Sequence, residues 1–334
     1  MKILYSLFIA LLLTSTCANS SNPPKQTGPV IIAYVIARGS ELPDPTHITH
    51  INYAFGVMNE THNGLIVNNE DRLRAIVGLK QQKPELKVLL AIGGWGKGGF
   101  SEMASTDTGR KAFAADCKRV ADQFNLDGID MDWEYPTSSE AGISSSPEDT
   151  DNFTILMREI REVLGKDKLL TFASSSSARY VDFKAVDPYV DFINIMTYDM
   201  GMPPFHHAAL YRSEYTKRSA EESVDLHIKA GIAPDKLTLG MPFYGKGLPN
   251  IRFQDIPKLT DYTEQWDDVA KVPYLTDKDG KFVFTYENAR SIALKCEFLK
   301  KRGLLGAMYW QYAHDDSSGT LRKAVYDGVM NTAR

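Results

Sequence analysis

The stretch Asp127-Gly-Ile-Asp130-Met-Asp132-Trp-Glu134-Tyr-Pro136 threads four carboxylates through an otherwise apolar run. Read as a strand, it places Gly128, Asp130, Asp132 and Glu134 on one face and Ile129, Met131 and Trp133 on the other. At a rise of about 3.3 Å per residue, successive carboxylates on that face sit roughly 6.6 Å apart, close enough in a low-dielectric interior to raise each other's proton affinity. Such a file does not hold its full negative charge. Protons are shared along it, and Glu134, at its end, is the candidate for a carboxyl kept protonated to act as an acid. Two plainer readings compete. A solvated strand face would leave Met131 and Trp133 as the buried side, whereas a buried parallel strand is apolar on both faces. A calcium loop also alternates Asp, but it turns about a central Gly and closes on a Glu, and this run has strand character without that turn.

On either side of this strand, apolar runs alternate with helical patterns: Val30 to Ala37, His50 to Met58, Lys87 to Trp95, Gly128 to Pro136, Leu169 to Ser175, Val190 to Tyr198, Leu237 to Gly245 and Leu304 to Tyr312. Helical stretches lie between them, among them Glu70 to Lys80, Thr108 to Phe124, Asp149 to Leu164, Ser219 to Ala230 and Asn288 to Arg302. The alternation predicts an α/β fold, a (β/α)8 TIM barrel, with an open doubly wound sheet as runner-up. No Gly-x-Gly-x-x-Gly follows the first strand, so the runner-up lacks its usual dinucleotide site. The longest break in the rhythm is Lys246 to Tyr286, before the seventh helix. There Lys278-Asp-Gly280-Lys between Val272-Pro-Tyr-Leu and Phe282-Val-Phe-Thr reads as a hairpin in a short insertion.

In a parallel barrel the carboxyl ends of the strands form the active face. Here those ends carry Tyr34, Phe55, Gly93-Gly94-Trp95, Glu134-Tyr135, Met196, Tyr198, Asp199, Tyr244, Trp310 and Tyr312. A single strand aromatic is usually core, but aromatics gathered around an acidic file suit a carbohydrate cleft, because sugar rings stack their C–H faces on aromatics. Other polar residues read more plainly. His206-His207, after a Pro pair, is expected to be exposed loop without a metal partner. Ser174 to Ser177 lacks a nucleophile elbow and reads as strand end and loop. Cys117 and Cys296 fall within amphipathic helices as small buried residues without a nearby base.

The chain has 334 residues, 43% hydrophobic and 24% charged, with a formal net charge of -4 and no basic cluster to neutralise phosphates, which argues against a nucleic-acid partner. Residues 1–20 have the charged start, short apolar core and small polar end of an export leader, with a tether to about residue 28. Two processing routes fit: cleavage after a small-x-small site at Ala18-Asn-Ser20, or lipidation of Cys17 in a loose lipoprotein box. Export follows from either, to a secreted, periplasmic or lipid-anchored surface location.

These residues resemble glycoside hydrolase family 18, the chitinase family. Asp127, Asp130, Asp132 and Glu134 match its Asp-x-x-Asp-x-Asp-x-Glu signature, with Gly128, Trp133, Tyr135 and Pro136 matching the chitinase form. Met196-Thr-Tyr198-Asp199, Met241-Pro-Phe-Tyr244-Gly and Gly306-Ala-Met308-Tyr-Trp310 fit its motifs on the sixth, seventh and eighth strands, so the resemblance covers nearly all of residues 29–334. It implies a retaining hydrolase of β-1,4-linked N-acetylglucosamine chains, with no cofactor or metal and chitin or its oligosaccharides as partner; a monomer is expected. Glu134 would protonate the glycosidic oxygen while the substrate's own acetamido oxygen attacks the anomeric carbon, one of the exceptions to the two-carboxylate rule. Asp132 would orient the acetamido group, Asp130 would tune Asp132 from beneath, and Tyr198 would bind the same group. Trp310 would floor the sugar, with Met196, Asp199 and Tyr244 lining its subsite and Trp95, Phe55 and Tyr34 contributing neighbouring contacts.

The sequence departs from the family pattern at three places. Ala91-Ile-Gly93-Gly94 replaces Ser-x-Gly-Gly, removing a hydroxyl near Asp130; Lys246 stands where an Arg is common; and the 246–286 insertion is short, which suggests a shallower cleft. An endo-β-N-acetylglucosaminidase acting on N-glycans and a non-catalytic chitin-binding lectin remain alternatives, the latter weakened by Glu134.

Overall fold

A computed structural model describes residues 28–39, 41–247 and 249–331. The leader, Cys17 and most of the tether lie outside the described residues. Eight parallel strands, Val30–Ile36, His50–Met58, Lys87–Gly93, Gly128–Asp132, Leu169–Ser175, Phe192–Met196, Leu237–Pro242 and Gly306–Trp310, follow one another around a sheet that closes when the first pairs with both the second and the eighth. Helices return the chain between strands, the longest being Asp107–Gln123, Asp149–Leu164 and Ala289–Lys301. This is the (β/α)8 barrel.

Strand parity sorts the side chains into two cores. Ile31, Ala33 and Val35 face outward into the apolar layer beneath the helices, which also takes Ile129, Met131 and Trp133. Val30, Ile32 and Tyr34 face inward, where the layer near the rim is made of small residues, Ala54, Ala91 and Ala173, beside Met196 and Met308. The small residues leave room inside the barrel for side chains on the same parity of the fourth strand, Asp130 and Asp132. Cys117 and Cys296 are free thiols buried under their helices.

Most strands end earlier than their apolar runs. The fourth stops at Asp132 rather than Pro136, and the eighth at Trp310 rather than Tyr312. Burial against the rim loops sustains hydrophobicity past the last ladder hydrogen bond, so the apolar pattern overshoots the strand. Tyr312 instead opens a 3₁₀ turn and its hydroxyl accepts from the Asp44 amide at 2.8 Å, away from the barrel mouth.

The segment after the seventh strand folds as Tyr244–Gly245 paired with Ile251–Arg252, then an antiparallel sheet of Thr263–Asp267, Val272–Thr276 and Phe282–Thr285. This sheet corrects the expectation for His206 and His207, which are both fully buried. His206 packs on Tyr274 and Phe282, and its Nε2 lies 3.2 Å from Asp267 Oδ2, so the insertion roofs the loop after the sixth strand. A sequence rich in Pro marks a loop but not what will cover it.

Candidate active site

The fourth strand delivers its carboxyls into the barrel mouth because Trp133 is pinned on the opposite side, its indole stacked on Phe100 at 5.3 Å and buried. The Gly93–Gly94 turn fixes the backbone at this point. Gly94 N donates to Asp132 O at 2.9 Å, and at Gly93, with φ +116°, a Cβ would lie 2.3 Å from that same oxygen. Only glycine permits this approach.

Asp130 sits beneath the cleft with no exposure. Its Oδ2 accepts from the Tyr34 hydroxyl at 2.6 Å, and its Oδ1 accepts from Thr171 Oγ1 at 2.6 Å and Asn194 Nδ2 at 3.0 Å. Thr238 Oγ1 in turn donates to Asn194 Oδ1 at 2.8 Å, so four other strands hold one carboxyl. Burial raises its pKa to about 6, against the pull of the Thr171, Tyr34 and Asn194 hydrogen bonds. The hydroxyl missing at Ala91 is thus met by Thr171 from the neighbouring strand. Thr171 and Asn194 were legible by the parity argument applied to Asp130: each is the polar residue on the inward face of an apolar strand.

Above it, Asp132 is held well above the usual carboxylate range by burial and then by the negative charges of Glu134 and Asp130. Its Oδ1 is buried without a hydrogen-bond partner among the described residues. Glu134 lies just past the strand, and burial pushes its pKa up to about 7; the Tyr135 hydroxyl opposes this and the Asp199 charge adds to it. All three carboxyls therefore hold their protons to higher pH than ordinary carboxylates do.

Trp310 spans the base of the mouth, 5.5 Å from Phe55 in a near-parallel stack and 5.7 Å from Tyr34. Tyr198 faces Tyr244 edge-on at 6.3 Å, and burial raises both phenols, so each remains a neutral donor. Asp199, with φ +57°, accepts on Oδ1 from the Tyr244 hydroxyl at 2.5 Å, with Lys246 Nζ at 2.8 Å and His207 Nδ1 at 3.6 Å. Burial alone would raise Asp199, but His207, Lys246 and Tyr244 together hold it well below the usual range. Lys246 is therefore an ion-pair partner inside the site, and His207, read from sequence as exposed loop, is fully buried behind Asp199.

The cleft has a volume of about 940 Å³ and is lined by Tyr34, Phe55, Trp95, Asp132, Glu134, Met196, Tyr198, Asp199, Tyr244 and Trp310. The structure brings all of these together at the carboxyl ends of the strands, with Asp130 below. Trp95 stands 58% exposed at the rim. Lining residues not singled out from sequence include Glu140, Arg179, Tyr180 and Arg218. Among the described residues, no group of three or more His, Cys, Asp or Glu side chains is arranged to hold a metal ion.

A carboxyl whose proton is held to about pH 7, in a cleft that also carries the Trp310, Phe55 and Tyr34 rings, is the equipment of acid-catalysed glycosidic cleavage, and the frame makes the class a (β/α)8 glycoside hydrolase. The chain belongs to glycosyl hydrolases family 18, whose family model matches residues 29–315. Chitinase A1 of Niallia circulans is 31% identical across 81% of this chain and 53% of its own length, so the chain spans about half of that relative. A family 18 N-acetylglucosaminidase from Paenibacillus barengoltzii shares 32% identity at a TM-score of 0.82, covering 90% of this chain and 100% of that one. A cell-surface-expressed multi-modular chitinase of a Paenibacillus species gives 32% identity and a TM-score of 0.85 over 91% of this chain and 43% of its own.

Proposed function

We propose that this protein is an exported chitinase-type hydrolase that cleaves β-1,4 bonds between N-acetylglucosamine units by substrate-assisted retaining catalysis. The observation that carries the reading is the pairing of a proton-bearing Glu134 with Asp132, whose buried Oδ1 has no partner among the described residues. Glu134 gives its proton to the glycosidic oxygen as the bond to the leaving sugar breaks. The acetamido oxygen of the retained sugar closes on the anomeric carbon, and the acetamido N–H takes the open Asp132 Oδ1. The positive charge that develops on the closed ring is balanced by the Asp130–Asp132 pair, which shares protons and so adjusts its charge as the reaction proceeds. Tyr198, kept neutral by burial, donates to the acetamido group from the other side. Trp310 carries the sugar face. Glu134 then accepts a proton from the water that opens the intermediate.

Hydrolysis of chromogenic chitobioside and chitotrioside, set beside an N-glycopeptide, tests this with wild type and Glu134→Gln. Loss of the acid lowers chitin-oligomer turnover by roughly 10² to 10⁴ with binding retained. Cleavage of the glycopeptide alone makes the protein an endo-β-N-acetylglucosaminidase, and binding without cleavage makes it a lectin. The similarity to the Paenibacillus barengoltzii N-acetylglucosaminidase favours a second reading, release of single sugars, which the products from chitotriose decide. Export through the leader, by either route at Cys17 or Ser20, and a monomeric state complete the proposal.

A further inference from the structure

A neutral glycan gives two features of the cleft nothing to do. Four cations line it, Arg179, Arg218, Lys246 and Arg252. Lys246 pairs with Asp199 and Arg252 with Asp255. Arg179 and Arg218 have no carboxylate within ion-pair distance among the described residues, and Glu140, an exposed carboxylate on the same cleft, pairs with neither. Both guanidinium groups are held in place all the same. Arg218 Nη1 donates to Ser176 O at 3.1 Å. Arg179 Nη2 donates to the Tyr180 hydroxyl at 3.2 Å with its guanidinium 5.4 Å from that ring, and Tyr180 lies flat on Tyr135 at 4.7 Å, the residue next to Glu134. Ser175-Ser176-Ser177, whose middle carbonyl holds Arg218, lines the same cleft. This wall presents two guanidinium groups and three hydroxyls and has no carboxylate of its own.

We propose that the wall of Ser175, Ser176, Ser177, Arg179 and Arg218 is a subsite for a carboxylate carried on the glycan, so that the cleft takes chains of β-linked 2-acetamido sugars bearing an acidic substituent. The inference rests on the glycosidase reading of this cleft and narrows its substrate class. Two guanidinium groups beside hydroxyls able to donate match an acceptor-only group, and guanidinium binds carboxylate in a two-pronged fork that a hydroxyl cannot reproduce. The Tyr135–Tyr180–Arg179 stack limits the freedom that Arg179 must give up on binding.

The test compares kcat/KM on three oligosaccharides of equal length. One is neutral chitotetraose, one alternates N-acetylglucosamine with its 3-O-lactyl ether as in peptide-free cell-wall strands, and one is O6-carboxymethylated chitotetraose. Wild type is expected to favour one acidic substrate over the neutral one by about tenfold, and which of the two wins locates the carboxylate. The preference falls toward one in Arg179→Gln/Arg218→Gln and on raising salt from 0.01 to 0.15 M, where the screening length drops from about 30 to about 8 Å. Wild-type cleavage of the neutral chain without any acidic preference overturns the inference and leaves the glycosidase reading standing, as does a preference that the double variant keeps. If nothing is cleaved, the glycosidase reading fails. Calorimetry of the same oligosaccharides with Glu134→Gln then decides the subsite by the ratio of Kd values.

Discussion

Tyr34 on the first strand and Asp130 on the fourth are joined across the barrel by a 2.6 Å hydrogen bond from the phenol to Oδ2. Burial lifts Asp130 to about 6, and this bond is one of those that limit the rise by favouring the charged form. Tyr34→Phe removes it, so Asp130 holds its proton to higher pH. The acid limb of the pH–rate profile is expected to move upward, with kcat down about tenfold, while the alkaline limb stays near 7, where Glu134 loses its proton. A profile that keeps both limbs after the substitution would show that Asp130 does not set the acid limb.

The acid itself is a stability liability. Its folded pKa, about 7, lies above the unfolded value of about 4.3, so the folded state binds the proton more tightly. The unfolding free energy therefore falls as pH rises through that window and levels off above 7. Glu134→Gln escapes the penalty. We expect the variant to match wild type at pH 4 and to exceed it by on the order of 2 kcal/mol at pH 8, read from urea midpoints. Equal stability at both pH values would mean that the carboxyl is better solvated than its position implies.

Lys246 tests the opposite wall. Its ammonium neutralises Asp199, whose charge otherwise adds to the proton affinity of Glu134. Lys246→Ala should leave Asp199 ionised but less compensated, moving the alkaline limb to higher pH and lowering kcat/KM by roughly threefold to tenfold. Lys246→Arg should keep both near wild type. An Ala variant with an unmoved alkaline limb would remove Lys246 from the electrostatics of the acid.

A buried ion pair outside the cleft offers a stability prediction. Lys295 and Glu287 pair with almost no exposure, and Lys295 Nζ also donates to Ala208 O at 2.5 Å, directly after His206-His207. Lys295→Met leaves Glu287 unpaired and should cost about 3–5 kcal/mol. Lys295→Met/Glu287→Gln should recover most of that loss. Urea denaturation of the single and double variants measures both, and a double variant as unstable as the single would place the cost in the lost Ala208 contact.

The barrel was legible because each strand left an apolar run bounded by helical periodicity, and the carboxyl file because parity put Asp130, Asp132 and Glu134 on one face. The parity extends to Asn194 and Thr171, so the support of Asp130 was present in the sequence. His207 and Arg218 were not legible. Their places depend on the roof laid by Thr263–Asp267, Val272–Thr276 and Phe282–Thr285 and on the close approach of loops distant in sequence, neither of which leaves a periodic trace. The strand Leu65–Val67, added antiparallel to the second barrel strand, is too short to show alternation.

The aromatic floor lies across the line where the barrel closes. Trp310 belongs to the last strand and Tyr34 to the first, and those strands are zipped in register from Val30 with Gly306 to Ala33 with Tyr309. Synthesis must therefore reach Trp310 before the barrel can close, and a nascent chain halted short of that residue holds Glu134 without the floor. Closure of the sheet and assembly of the floor are thus one event, set by the last strand to be made.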